Sequence, residues 1–308
     1  MSKKINPGEC RGKIIVVLGA TATGKSDLAV ELAKFFNGEV ISADSRQIYQ
    51  GLDIGSNKIT LEEQQNIKHY LLDIIKPDQE FTLYNWQKAA FETIEKILAK
   101  NKLPIIAGGT GLYLCSLLQN YQIPATDLYL RKKLSKYSLP ELLQQLKTAD
   151  PLALDQIDTK NKLKVIRALE YTLSFKNSLI TKQQTADCPY DYLIFGLTMD
   201  RQMLYKKINQ RVEQMIKNNL IEEAKAIYKK YPPKNLPALS GIGYKEIIDY
   251  LDKKITLPEA VSLIKKNSRH YAKRQATWFR RMEKQGIKIY WNIEIKKAEK
   301  IVKKFLVD

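Results

Sequence analysis

The stretch "KIIVVLGATATGKS", residues 13–26, constrains this chain more than any other. An apolar run of strand type leads directly into a loop that fits G-x-x-x-x-G-K-[ST]. "SDLAVELAKFF" follows, with Leu28, Ala29, Leu32, Ala33 and Phe36 at helical spacing. Strand, glycine-rich loop and helix start are the context such a loop needs. Its backbone amides and the positive end of the helix dipole make an anion cradle. Lys25 adds a point charge on a terminal phosphate, and Ser26 is placed to ligate Mg²⁺. Gly19, Ala20, Thr21, Ala22, Thr23, Gly24, Lys25 and Ser26 are thus the expected phosphate-binding residues. The loop does not say whether its ligand is a nucleoside triphosphate or another phosphorylated group.

The segments beyond the loop set the fold class. "GEVISAD" and "LPIIAGG" read as short buried strands, and "FTLYNWQKAAFETIEKILAKN" as a long amphipathic helix. "TGLYLCSLL" reads as a further helix. Strands separated by helices imply an α/β fold with a P-loop-type core, a parallel sheet and flanking helices. The pattern changes after Tyr121. From Ile123 to about Pro189 there is no strand run, and "LPELLQQLKTAD" and "KNKLKVIRALEYTLSF" are helical, with Pro140 at a helix start and Pro151 as punctuation. "YDYLIFGLTMD" then returns as a strand, helices follow to about Lys284, and "GIKIYWNI" closes as a short strand. An all-α insertion, residues 122–189, is therefore expected between the two parts of one catalytic core, 1–121 and 190–308.

Composition narrows the function classes. The chain has 308 residues and a formal net charge of +18, unevenly spread. Residues 1–121 are nearly neutral, whereas residues 190–308 carry a net +13. The positive field lies away from the phosphate loop, which suggests a polyanion larger than a nucleotide. The competing reading is a set of solvated lysine-rich helices, such as "IKKAEKIVKK". No stretch approaches the roughly 20 apolar residues of a membrane span, and "MSKKINPGECRGK" lacks the apolar core of an export signal. Cys10, Cys115 and Cys188 match neither a disulfide framework nor a zinc site. With only His69 and His270, a transition-metal centre is not expected. The natural home is a reducing cytoplasm, and a monomer is the expected state.

Several residues suggest chemistry beside the loop. Asp44 ends the second strand, where open α/β sheets place their ligand crevice. It can serve a metal through water, act as a general base, or simply cap a turn. Gly108, Gly109 and Gly111 in "AGGTGLY" allow close approach of backbone to a ligand, and Thr110 offers a hydroxyl. A tight strand-to-helix turn explains the same glycines. No apolar run ends in Asp-Glu, which weakens a hydrolase reading. "NSRHYAKRQATWFRR" interleaves Arg269, Lys273, Arg274, Arg280 and Arg281 with Tyr271, Trp278 and Phe279, a mixture suited to phosphate contacts and base stacking. Burial is the commoner fate of a tryptophan, so Trp278 could face the core instead. Lys160, Lys164 and Arg167 in the insertion recur at near-helical spacing.

Taken in order, "GATATGKS", "SADSRQIYQGLDIG", "HYLLDI", "AGGTGLYL", "IRALE", "LYKKINQRVEQM", "GIGYKEI" and "RHYAKRQATWFR" resemble the tRNA dimethylallyltransferases, also called tRNA isopentenyltransferases. The resemblance covers residues 14 to about 281. The chain departs from the family pattern at Ala20, usually Pro, at Ser56-Asn57-Lys58, commonly Ala-Lys-Pro, at Tyr70, often His, and at Asn219, commonly Gly.

The resemblance implies transfer of a dimethylallyl group from dimethylallyl diphosphate to N6 of adenosine 37, beside the anticodon of a tRNA, with Mg²⁺ as cofactor. Asp44 would be the base, Lys25 and Thr110 further catalytic residues, and Arg211 a second cation on the diphosphate. By analogy Asp44, Ser45, Arg46 and Gln47, with Thr110, would meet the anticodon stem-loop. So would Leu163, Lys164, Val165, Ile166 and Arg167 of the insertion, then Ser240, Gly241, Ile242, Gly243, Tyr244 and Lys245, and finally Lys273 and Arg274. The rivals are a P-loop small-molecule kinase, an adenylate isopentenyltransferase acting on free nucleotide, and a non-enzymatic RNA-binding module. None of the three accounts for phosphate loop, insertion and basic last third together.

Overall fold

In the computed structural model, residues 12–123, 125–175, 185–231 and 236–308 are described. Cys10 and the segment before it lie outside them. In chain order the elements are β1 (Lys13–Gly19), α1 (Lys25–Phe35), β2 (Gly38–Ser42), α2 (Leu61–Gln64), β3 (His69–Tyr70), α3 (Leu83–Leu98), β4 (Leu103–Gly108) and α4 (Gly111–Leu118). Then come α5 (Leu128–Ser135), α6 (Leu139–Ala149), α7 (Pro151–Gln156) and α8 (Lys162–Phe175). The rest are β5 (Asp191–Leu197), α9 (Arg201–Lys217), α10 (Leu220–Lys230), α11 (Tyr244–Leu251), α12 (Leu257–Lys284), β6 (Tyr290–Trp291) and α13 (Ile295–Val307).

The chain divides into two compact units. The first comprises Met1–Phe81, Gln87–Cys115 and Pro189–Asp308. It contains one six-stranded sheet of order β3-β2-β4-β1-β5-β6, with every pairing parallel. β1 is central and buried along nearly its whole length, as expected of a strand covered on both faces. Ile15, Val17, Leu28, Leu32, Phe36, Ile105, Phe195, Val302 and Leu306 share one core, in which α13 packs against α1 and the sheet. A second core joins Ile48, Tyr49 and Leu52 to Leu220, Tyr244, Ile247 and Ile264 of the helices that follow β5. Asn219 links α9 to α10 with φ 69°, a left-handed conformation that explains why glycine suits that position. β3 and β6 are only two residues long and guard the sheet's edges.

The second unit, Thr82–Trp86 with Ser116–Cys188, holds α5, α6, α7 and α8. It takes in residues before the expected boundary at 122. Ser138 and Glu141 form a capping box at the start of α6, with Pro140 in the first turn. Leu134, Leu142, Leu146, Val165, Ile166 and Leu169 make its core. Beside that core the buried Glu170 accepts from the Arg131 guanidinium at 2.8 Å, from Arg167 Nη1 at 2.9 Å and from the Asp127 amide at 2.9 Å, so a buried charge is paired and satisfied.

Candidate functional site

The sheet delivers its phosphate loop at the carboxyl end of β1. Gly24, at φ 89°, starts α1 with no side-chain cap, so the first amides of the helix are open to a ligand. Ala22 also takes a positive φ, 68°, a costly conformation for a side chain that bends the loop into its cradle. Gly19 is required by close packing, since a Cβ there would fall 2.5 Å from Thr23 Oγ1 and 2.9 Å from the Leu197 carbonyl. Thr23 in turn donates its hydroxyl to the Ala20 carbonyl. The loop opens into a crevice of about 430 Å³, the size of a small-molecule site. Lys25 lies in it, its pKa lowered by burial, partly opposed by Asp44 and reinforced by Arg211. Arg211 on α9 donates from Nη1 to Thr21 Oγ1 at 3.1 Å, which brings a second cation to the loop. Its pKa too is lowered by burial, with Glu63 and Asp27 opposing.

Asp44 faces the same crevice. Its Oδ1 accepts the Arg46 amide at 2.8 Å, so it caps a turn and lines the site at once. Behind it the ends of β2 and β4 are stitched together. Ala43 N donates to Ala107 O at 2.8 Å and Thr110 N to Ala43 O at 3.2 Å, while Thr110 Oγ1 accepts the Ser45 amide at 3.2 Å. Thr110 is hydrogen-bonded to the Tyr271 hydroxyl of α12; burial, with Asp44 adding to it, pushes that tyrosine's pKa up to about 12. Ala22, Ile208, Val212, Met215, Ile242 and Ile264 give the crevice an apolar wall.

The structure gathers most but not all of the expected residues. Thr21, Ala22, Gly24, Lys25, Ser26, Asp44, Ser45, Arg46, Gln47, Arg211, Ser240, Gly241, Ile242 and Arg274 line the crevice. Gly19, Ala20 and Thr23 shape the loop from behind, and Thr110 stands behind Ser45 and Tyr271. Gly243, Tyr244 and Lys245 start α11 beyond the rim, and Lys273 is exposed on α12. Within the helical unit Val165 and Ile166 are core residues. Of that stretch Leu163 and Lys164 are exposed, and Arg167 is half-buried with its Nη1 held by Glu170. The glycines of "AGGTGLY" serve protein packing. A Cβ on Gly108 would meet Ala43 O at 2.2 Å, one on Gly109 would meet Gln275 Nε2 at 2.1 Å, and one on Gly111 would meet Trp278 Cβ at 2.5 Å. Trp278 therefore packs on the start of α4, with Arg281 over its ring.

Two residues, Gln275 and Glu223, carry the site without having been singled out by sequence, and a third, Arg46, does more than sequence assigned it. Arg46 was expected on RNA only, yet its Nη1 donates to Pro237 O at 2.8 Å and to Ser240 Oγ at 3.3 Å, tying two walls of the crevice. Gln275, 3% exposed, bridges the phosphate loop and Gly109. Glu223 on α10 accepts the amides of Asp53, Ile54 and Gly55 and the Tyr244 hydroxyl. It thereby fixes the loop whose Gly55, Ser56 and Asn57 line the crevice. Each acts across more than 160 residues of chain or through a partner with no local motif, so no spacing rule exposes it.

Fold and crevice together define the class: an α/β protein with a parallel sheet whose glycine-rich loop after β1 opens beside a carboxylate and an apolar wall. Within that class the chain belongs to the IPP transferase family, whose sequence model matches residues 47–282. It is 42% identical over 301 residues to the tRNA dimethylallyltransferase of Acetivibrio thermocellus, covering 94% of this chain and 95% of that one. The crystal structure of the full-length tRNA isopentenylpyrophosphate transferase from Bacillus halodurans superposes with a TM-score of 0.71 at 37% identity, covering 96% of this chain and 97% of that one. A eukaryotic dimethylallyltransferase acting on tRNA superposes with a TM-score of 0.77 at 26% identity, over 94% of this chain and 77% of that one.

Proposed function

We propose that this protein transfers a dimethylallyl group from dimethylallyl diphosphate to N6 of adenosine 37 in tRNAs, giving N6-(dimethylallyl)adenosine and diphosphate. The observation that carries the reading is the meeting of the uncapped α1 start, Lys25, Arg211 and Asp44 in one crevice. A diphosphate on the loop supplies the counter-charge that burial withholds from Lys25. The adenine N6 lone pair is delocalised into its ring, so the amine is a weak nucleophile. Asp44 accepts its proton as the new N6–C1 bond forms. The C1–O bond breaks, and its electron pair leaves on the diphosphate, where the loop amides, Lys25 and Arg211 stabilise it. The proton on Asp44 then passes to solvent. Ala22, Ile208, Met215 and Ile242 offer the apolar wall a five-carbon chain needs.

Ser26, Asp27 and Asp44 are hard oxygen donors on the crevice. Among the described residues no three His, Cys, Asp or Glu side chains gather as a ligand set. Such sparse oxygen donors suit Mg²⁺, which keeps water and substrate phosphate in its shell. When bound it neutralises charge on the diphosphate. The target base must leave the anticodon-loop stack to reach Asp44, with Ser45, Gln47, Ser240, Gly241 and Ile242 at the rim and Lys273 and Arg274 on the backbone. The helical unit contributes Leu163, Lys164 and Arg167. Among the described residues no helix is long and apolar enough to cross a membrane. We place the reaction in the cytoplasm, carried out by a monomer.

Incubation with dimethylallyl diphosphate, Mg²⁺ and unmodified tRNA, followed by nucleoside mass analysis, tests the reading. A mass gain on the adenosine beside the anticodon is expected. ATP consumption with a small acceptor, or prenylation of free nucleotide alone, overturns it.

A further inference from the structure

The 28-residue α12 carries more than a basic face. Gln275, on its buried side, makes two hydrogen bonds to two different loops. Its Oε1 accepts the Thr21 amide at 2.9 Å, and its Nε2 donates to Gly109 O at 2.9 Å. Thr21 belongs to the phosphate loop, and Arg211 grips the same residue by its hydroxyl. Gly109 precedes Thr110, which meets the amide beside Asp44 and, through its hydroxyl, Tyr271. Tyr271 and Gln275 sit one turn apart on one helix. The close packing leaves no slack, because a Cβ on Gly109 would collide with the Gln275 amide.

A group in this place must accept and donate at once. Among side chains of this length only glutamine, or a protonated glutamate, does both. We propose that Gln275 is a positioning residue, whose amide sets the spacing between the leaving-group loop and the turn that holds Thr110 and Asp44. The inference rests on the reading of diphosphate on the loop and Asp44 as base. Group transfer depends steeply on that spacing, since a displacement of about 1 Å of a reacting partner costs on the order of a hundredfold in rate.

The test uses the full chain and two variants, Gln275→Leu and Gln275→Glu, with prenyl transfer to tRNA and hydrogen exchange measured on each. Gln275→Leu is expected to lower kcat about tenfold to a hundredfold, with KM for tRNA changed by less than about threefold. The peptide spanning residues 19–25 exchanges faster in that variant, while β1 peptides do not change. In Gln275→Glu the ionised carboxylate keeps the Thr21 contact but repels Gly109 O. Burial and that carbonyl raise the carboxyl pKa, so activity relative to wild type climbs as pH falls from 8.5 towards 6. Wild-type kcat in both variants, a loss confined to KM for tRNA, or a flat pH ratio in Gln275→Glu overturns the proposal. If the wild-type chain itself does not prenylate tRNA, the functional reading fails. The exchange arm then still decides, because unchanged protection at 19–25 refutes the loop-holding role.

Discussion

Replacing Glu223 by glutamine perturbs four donors at once. In the native chain the carboxylate takes the amides of Asp53 at 2.9 Å, Ile54 at 2.8 Å and Gly55 at 3.0 Å, and the hydroxyl of the buried Tyr244 at 2.7 Å. Glutamine keeps one acceptor oxygen and turns the other into an N–H₂ group that faces donors. Two of the four donors then lose their partner, at about 1–1.5 kcal/mol each once the weaker neutral bonds that remain are counted. The expected cost is about 2–3 kcal/mol, a fall in Tm of about 3–5 °C for a chain of this size. Tyr244→Phe removes the bond to Glu223 and the hydroxyl oxygen that the Gly55 and Ser56 amides face, and costs about 1–2 kcal/mol. Because both act on one carboxylate, the double variant is less destabilised than the sum of the singles. Thermal unfolding of the four chains reads all of this. A Tm for Glu223→Gln within about 1 °C of wild type would refute the account of a loop held by one charge.

Asp44→Asn keeps the cap on Arg46 but removes the base, and is expected to lower transfer by about a hundredfold or more with tRNA affinity unchanged; near-normal turnover would falsify the assignment. Reversing Lys273 and Arg274 to Glu should weaken tRNA binding and flatten the slope of log affinity against log salt by about 1.5, as measured by filter binding over a salt series. An unaltered slope removes that face from the interface. Burial acts to raise the Glu39 carboxyl, but hydrogen bonds from Lys102, Tyr70 and Lys100 outweigh it and hold the pKa at about 2. Its folded pKa is thus depressed, so it contributes stability above about pH 4.5 that is lost as pH falls towards 2. After discounting for solvent at the lysines this is about 1–2 kcal/mol. Glu39→Gln should flatten acid unfolding over that window, and an unchanged acid limb counts against it.

Much of this architecture is written locally. The run into "GATATGKS", the helical face of Leu28, Leu32 and Phe36, and the apolar strand before "AGG" each announce their element within a few residues, and the parallel sheet follows. "GIKIYWNI" announced β6 as a short strand, whereas β3 escaped such reading because two residues have no periodicity. The glycines of "AGGTGLY" left a close ligand and a tight turn both open, and their neighbours Ala43, Gln275 and Trp278 are known only once distant segments meet. Val165 and Ile166 show the opposite case. Their helical phase with Leu169 already points to a core face, which a contiguous segment carried over by resemblance conceals. Glu223 and Gln275 hold backbone groups, and backbone leaves no trace in residue type.

The strand order also dictates when the sheet can exist during synthesis. β1 lies between β4 and β5, yet β5 begins only at Asp191, after the helical unit has been made. At about 5–20 residues per second, β1 leaves the ribosome on the order of ten seconds or more before its second neighbour. Ala298, Val302 and Leu306 of α13 close the core over α1 later still, and Leu306 O then receives the Lys13 ammonium at 3.1 Å. The nascent chain therefore carries an unpaired apolar strand edge through most of its elongation, the kind of surface that chaperones shield.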